Sequence, residues 1–241
     1  MKALLLSAGL GTRLKPFTDK HPKALAPVHG RSLLEWNIRN LQRYGIYDIV
    51  VNVHHFAEQI IEALHEGNGY GSRYEISDER EAVLETGGGL KKAAPFFSGD
   101  RHLLVMNVDM LTNADISKMI SFHEKSNCLA TLAVQQRPSS RYFLFDENMN
   151  LKGWENTLTL ERRPPMLTGN LKQFAFSGIQ VLNTSIFAKI KREGKFSLVD
   201  VYLDLCSTET ITGLDHTGDL LLDVGKPDSI AKAEALFSAM P

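Results

Sequence analysis

Ten residues behind the first apolar run carry the densest chemistry in the chain: Ser7-Ala8-Gly9-Leu10-Gly11-Thr12-Arg13-Leu14-Lys15-Pro16, followed by His21-Pro22-Lys23-Ala24-Leu25. Glycines directly after a strand let the backbone approach a ligand closely and turn N–H groups toward an anion. Small Ser7 and Ala8 leave space beside that backbone. Residues 1–31 hold Lys2, Arg13, Lys15, Lys20, Lys23 and Arg31 against a single acid, Asp19, although the whole chain carries a formal charge of −1. A polyphosphate is the natural partner of such a loop. Ser7, Ala8, Gly9, Gly11 and Thr12 are therefore candidate nucleotide-binding residues, and Arg13 and Lys23 candidate catalytic cations.

Other phosphate motifs fit less well. In a Gly-x-Gly-x-x-Gly dinucleotide fingerprint, Leu14 would occupy the third glycine, and Asn52 stands where a ribose-binding acid is expected. The Gly-x-x-x-x-Gly-Lys-Ser/Thr loop is absent. A solvated basic loop without a ligand remains the plain alternative.

Two aspartates share one kind of position. Asp109 follows the apolar run Leu103 to Val108, and Asp223 closes Leu220 to Leu222. Both would sit at carboxyl ends of strands, where open α/β sheets bind ligands. Taken singly, each also suits a turn or a helix cap.

The loop as a whole, Gly-Leu-Gly-Thr-Arg-Leu with Pro16-Phe17-Thr18 and Pro22-Lys23-Ala24-Leu25, resembles the signature of the sugar-1-phosphate nucleotidylyltransferases, or NDP-sugar pyrophosphorylases. Glu85-Thr86-Gly87-Gly88-Gly89 is similar to a stretch of the short, single-domain N-acetylmuramate-1-phosphate uridylyltransferase type. The resemblance implies a sugar 1-phosphate and a nucleoside triphosphate as substrates, and Mg²⁺ held by Asp109 and Asp223. Mg²⁺ keeps several waters and needs only one or two protein carboxylates beside phosphate oxygens. It further implies base contacts from Glu85, Gly87 and Gly88, and a sugar pocket built from Asn107, Ser177 and Gly178. Read from the residues alone, Glu85–Gly89 precedes an Ala- and Lys-bearing helix and could be its N-terminus with exposed N–H groups, or equally a flexible turn, and Phe176–Gly178 could be a bulge in a strand. Glu161-Arg162-Arg163-Pro164 occupies the place of the family's Glu-Lys-Pro, so the lysine that would take the sugar phosphate is missing; Arg162 is a guess for that role. The expected reaction is attack of the sugar-phosphate oxygen on the α-phosphate, with pyrophosphate leaving and an NDP-sugar forming. Uridylyl transfer comes first; guanylyl, thymidylyl or cytidylyl transfer, or a non-catalytic nucleotide-sugar-binding subunit, are the alternatives.

Positioning these residues requires strands and helices in alternation. Ala3–Leu6, Asp48–Val53, Tyr74–Ile76, Leu103–Val108 and Leu129–Val134 read as strands. Ser32 and Glu35 form a capping-box pattern ahead of Leu34, Ile38 and Leu41 at helical spacing. Phe56, Ile60, Ile61 and Leu64 mark a second helix, and Asn113 or Asp115 could cap a third through His123. The pattern predicts an α/β fold: a Rossmann-like, mainly parallel sheet with helices on both faces. Past residue 136 the pattern changes. Arg141–Phe145 and Leu151–Trp154 flank a turn and predict an antiparallel hairpin; the resemblance makes it the start of a small antiparallel sugar-binding lobe. Phe174–Leu182 reads as a strand, Thr184–Ile190 as a helix, and Lys226–Met240 as a terminal helix. One domain is expected over 1–241, with a nucleotide-binding half (1–136) and a sugar-binding half (137–241). His54-His55 could suggest a metal, but neighbours on a strand point to opposite faces, so structural roles are expected.

The 241 residues are 43% hydrophobic and 23% charged, with 27 Lys and Arg against 28 Asp and Glu. That balance excludes a strongly basic nucleic-acid binder. Cys128 and Cys206 are too far apart for a zinc pair and suit a reducing compartment, so the cytoplasm is expected. No apolar run approaches the roughly 18 residues of a membrane span, and no hexapeptide repeat suggests an attached acyltransferase domain.

Overall fold

The first strand, β1 (Lys2–Leu6), shows how the molecule is organised. Ala3 and Leu5 face one hydrophobic cluster and Leu4 and Leu6 another. Both faces are covered, which is why the strand reads as an unbroken apolar run. The computed structural model describes residues 1–164, 166, 167 and 169–237.

After β1 and the long loop come a short ribbon, β2 (Pro27–Val28) and β3 (Arg31–Ser32), and helix α1 (Leu33–Gln42). There follow β4 (Asp48–Val53), α2 (Ala57–Glu66), β5 (Arg73–Asp78), α3 (Glu85–Ala93), β6 (His102–Asn107), β7 (Met110–Thr112), α4 (Ile116–Lys125) and β8 (Ala130–Gln135). The second half contributes β9 (Arg141–Phe145), β10 (Leu151–Asn156), β11 (Glu161–Arg163), β12 (Lys172–Asn183), the single turn α5 (Ile186–Lys189), α6 (Leu198–Leu205), β13 (Ile211–Asp215), β14 (Leu221–Asp223) and α7 (Pro227–Phe237).

Strands β5, β4, β1 and β6 are parallel neighbours in that order, with Leu4 opposite Val50 on one side and Val105 on the other. β12 runs antiparallel to both β6 and β8, and β13 is parallel to β8. The N-terminal end of β12 pairs with β9, which carries β10 and β11 outward as the antiparallel extension. The sheet is thus the expected mainly parallel one with an antiparallel lobe. On one face Leu4, Val50, Val105 and Leu132 pack with Leu90 of α3 and Val201 and Tyr202 of α6. On the other, Leu5, Val51, Leu104 and Met106 meet α1 through Leu34, Ile38 and Leu41, and α2 through Ile60 and Leu64. A third cluster joins Leu14 of the glycine loop, Trp36, Leu111, Val224 and, from α7, Ala233 and Phe237. It anchors the loop and the Asp223 segment to the same ground.

Several local expectations change. At α1, Ser32 Oγ accepts from Glu35 N at 3.1 Å, but the Glu35 carboxylate goes to Arg39 at 2.7 Å, so only half of the capping box forms. A complete box caps α6 instead, from Ser197 and Asp200. Asp115, not Asn113, caps α4, accepting from Ser117 N and Lys118 N. The helix expected over Thr184–Ile190 shrinks to α5. The terminal helix starts at Pro227; the part of it expected over Ser238–Met240 lies outside the described residues.

Candidate functional site

Four of the predicted site residues meet at the carboxyl ends of β1, β6 and β14. The loop leaves β1 at Leu6 and turns sharply at Gly11, whose φ is +63°. A side chain there would bring its Cβ within 2.8 Å of Thr18 Cγ2, so only glycine fits this turn. Thr18 Oγ1 donates to Gly11 O at 2.9 Å and Leu14 N donates to the same oxygen at 2.8 Å. Leu14 is sunk into the third core, which leaves Arg13 pointing outward. The Arg13 guanidinium lies 3.4 Å from Asp223 Oδ2.

Lys23 starts a single helical turn after Pro22 and is 9% exposed. Its ammonium contacts the Asp109 carboxylate and lies 3.9 Å from Asp223 Oδ1. The backbone holds the two acids together as well. Asp223 pairs with Met110 between β14 and β7, and Val224 N donates to Asp109 O at 2.8 Å. One ammonium therefore spans two carboxylates borne on strands more than a hundred residues apart.

This cluster borders a cleft of about 620 Å³. Its lining includes Ser7, Ala8, Gly9, Gly11, Thr12, Arg13 and Lys23 from the loop, Asn107 and Asp109 from the end of β6 and the turn after it, and Glu85, Thr86, Arg141, Lys195 and Ser197 from later segments. Asp223 reaches the cleft through its contacts with Arg13 and Lys23. The remaining predicted residues do not line the cleft. The N–H groups of Gly87 and Gly88 both donate to Phe196 O, at 2.9 and 3.2 Å, so neither is turned toward the cleft. Both glycines lie inside α3, and a Cβ on Gly87 would come within 2.5 Å of the Phe196 ring. Their smallness serves the packing of α3 on the segment before α6. Ser177 is fully buried and shares a 2.8 Å hydrogen bond with His216 Nε2. Gly178, at φ +73°, packs against Asn107 rather than opening into the cleft.

The structure also brings in residues that the sequence pattern passed over. Asn52, at the end of β4, is 2% exposed. Its Oδ1 accepts from Ser7 N at 2.5 Å and Ala8 N at 3.2 Å, and its Nδ2 donates to Glu79 Oε1 at 2.7 Å. Asn52 thus fixes the start of the glycine loop. Glu79 is almost wholly buried, its Oε2 has no partner, and burial pushes its carboxyl above the usual range. His54 Nδ1 bonds Glu79 O at 2.7 Å, the structural role expected for it.

The donor set suits a hard cation. Asp109 and Asp223 offer carboxylate oxygens to one point that a lysine ammonium already bridges. No group of three or more His, Cys, Asp or Glu able to hold a metal exists among the described residues. Two carboxylates are what an ion shared with substrate phosphates asks for.

A glycine loop, paired cations and paired carboxylates thus stand together at the strand ends of a mainly parallel sheet. Residues 2–239 match the family described as nucleotidyl transferase, and the chain belongs to that family; it is an enzyme of that class. It is 32% identical over 241 residues to the N-acetylmuramate alpha-1-phosphate uridylyltransferase of Neisseria meningitidis, with 99% of each chain covered. The enzyme of the same name from Caulobacter vibrioides is 29% identical, over 97% of this chain and 95% of the other. In fold, the chain is similar to HddC from Yersinia pseudotuberculosis, with a TM-score of 0.79 at 22% identity, covering 98% of this chain and 99% of the other.

Proposed function

We propose that this enzyme joins UTP and N-acetylmuramate 1-phosphate into an NDP-sugar, releasing pyrophosphate, in the cytoplasm. The convergence of Arg13, Lys23, Asp109 and Asp223 on one cleft carries the reading. The relatives' activity supports the choice of base and sugar.

The incoming nucleophile, a sugar-phosphate oxygen, is already an anion, so the site needs no general base. A new bond forms from that oxygen to the α-phosphorus, and the bond from the α-phosphorus to the β-phosphate oxygen breaks. The barrier is electrostatic: two anions must meet, and charge grows on the departing pyrophosphate. Arg13, 57% exposed in its side chain and reached from the cleft, takes the β- and γ-phosphates. Lys23 is a second point charge, set deeper by its buried stem. The loop from Ser7 to Thr12 aligns the triphosphate with its backbone. Asp109 and Asp223 would hold Mg²⁺, which when bound supplies Lewis-acid charge to phosphate oxygens. Residues 1–136 serve the nucleotide and 137–241 the sugar.

The test is pyrophosphate release from UTP, GTP, dTTP, CTP and ATP, each with N-acetylmuramate 1-phosphate and with glucose 1-phosphate. Release is expected with UTP and N-acetylmuramate 1-phosphate. Preference for GTP would reassign the base, and silence with every pair would refute the reading. Asp223→Asn should shift the Mg²⁺ titration of the reaction to higher concentration; an unmoved titration removes Asp223 from the site.

A further inference from the structure

Resting on that reaction, we propose that Arg141 is the residue that receives the phosphate of the sugar 1-phosphate. Four cations line or border the cleft: Arg13, Lys23, Arg141 and Lys195. Three have acids beside them. Arg13 meets Asp223, Lys23 meets Asp109, and Lys195 lies 3.5 Å from Glu85 Oε1. The Arg141 guanidinium has neither an ion-pair partner nor a side-chain hydrogen bond among the described residues.

Its backbone, by contrast, is pinned. Arg141 N donates to Ser139 Oγ at 3.2 Å, and Ser139 Oγ donates to Arg141 O at 3.0 Å. Ser139 N donates to Tyr142 Oη at 2.7 Å, and Arg141 stands opposite Asn156 in the β9–β10 register. A free guanidinium on a fixed stem is suited to bidentate capture of a phosphate.

The arginine that the sequence pattern would nominate, Arg162, and its neighbour Arg163 are both spent elsewhere. Arg162 Nε is held at 2.7 Å by Glu155, a buried carboxylate that also accepts from Gln173. Arg163 is bound to Asp200 at 2.7 Å and lies over the Trp154 ring. Neither lines the cleft. Arg137, in the connection that leads into β9, does not line the cleft and feels the charge of Asp223. It is half-buried, its NH2 donates to Phe176 O at 2.9 Å, and it has no ion-pair partner among the described residues. Arg141, at the start of β9, therefore brings to the cleft a charge that has no acid beside it among the described residues.

The experiment is calorimetric titration of N-acetylmuramate 1-phosphate, with N-acetylmuramate as the phosphate-free comparison, into the wild type, R141Q, R141K and R162Q. A charge-assisted phosphate contact predicts a loss of about 10- to 100-fold for R141Q, partial recovery in R141K and no change in R162Q. The phosphate-free sugar should bind R141Q as it binds the wild type, and the melting temperature should hold. Binding of the phosphate by R141Q within twofold of the wild type overturns the assignment, as does an equal loss in R162Q or no binding by the wild type. Pyrophosphate release on the same samples separates the two readings. Wild-type turnover with an unchanged KM in R141Q removes Arg141 alone; no turnover with any pair removes the reaction as well.

Discussion

Replacing Asn52 by leucine tests whether the glycine loop is held from beneath. Leucine has nearly the same shape, so little cavity should open. Three groups lose their partner at once: Ser7 N–H, Ala8 N–H and Glu79 Oε1. All three lie on residues no more than 9% exposed, so water does not readily replace the amide. At about 1–3 kcal/mol for each buried polar group left unpaired, the loss should be at least about 3 kcal/mol. For a chain of this size that lowers Tm by roughly 6–12 °C. Asn52→Asp separates the two ends of the amide. It keeps an acceptor for the loop but sets a second carboxyl against Glu79, whose own pKa is already raised by burial. A proton must then be shared, and a raised acid pKa gives stability that is present at low pH and lost as pH rises. N52D should therefore be closer to the wild type at pH 5 than at pH 8. Scanning calorimetry and UTP titration read both effects. An N52L variant that melts within 2 °C of the wild type and binds UTP normally would refute the role given to Asn52.

Two further predictions follow from the same geometry. Arg13→Ala and Asp109→Ala should each cut turnover about 10²- to 10³-fold while the fold survives, as pyrophosphate release and circular dichroism would show; near-normal release from either would remove that residue from the site. His123 is buried against Thr131 and His102, and burial pulls its pKa from 6.5 down to about 4. A depressed histidine pKa gives stability that is full above pH 6.5 and lost as pH falls toward 4. Urea unfolding at pH 7.5 and pH 4 should show the wild type losing roughly 3 kcal/mol more than His123→Gln; equal losses would refute the assignment.

The parts of the fold with strong local periodicity were visible in the residues. β1, β4, β6, α1 and α4 carry their own burial pattern, and the two aspartates stood out because each ends an apolar run. Elements decided by distant partners were not visible. For α3 the residues point to a helix only around and after Glu85–Gly89; that the helix takes in all three consecutive glycines, each costing about 1 kcal/mol in a helix interior, depends on Phe196 and Gly194, which press where Gly87 and Gly88 lie. α6, Leu-Val-Asp-Val-Tyr-Leu-Asp-Leu, is rich in Val and apolar nearly throughout, so neither period dominates. Strand alternation turned Ser177 toward His216, and a buried Glu155 claimed Arg162. Asn52 sits where the sequence invited a search for an acid. Its importance depends on Ser7 and Glu79, which no local pattern connects.

The stitching of α3 to the segment before α6 sets how the cleft can breathe. Gly87 N and Gly88 N hold Phe196 O, Phe196 N holds Leu84 O at 3.1 Å, and Leu198 N donates to Thr86 Oγ1 at 2.9 Å. Glu85 and Thr86 are thereby fastened to the segment that carries Lys195 and Ser197. Any widening of the cleft at this edge must then carry these four residues together rather than one at a time.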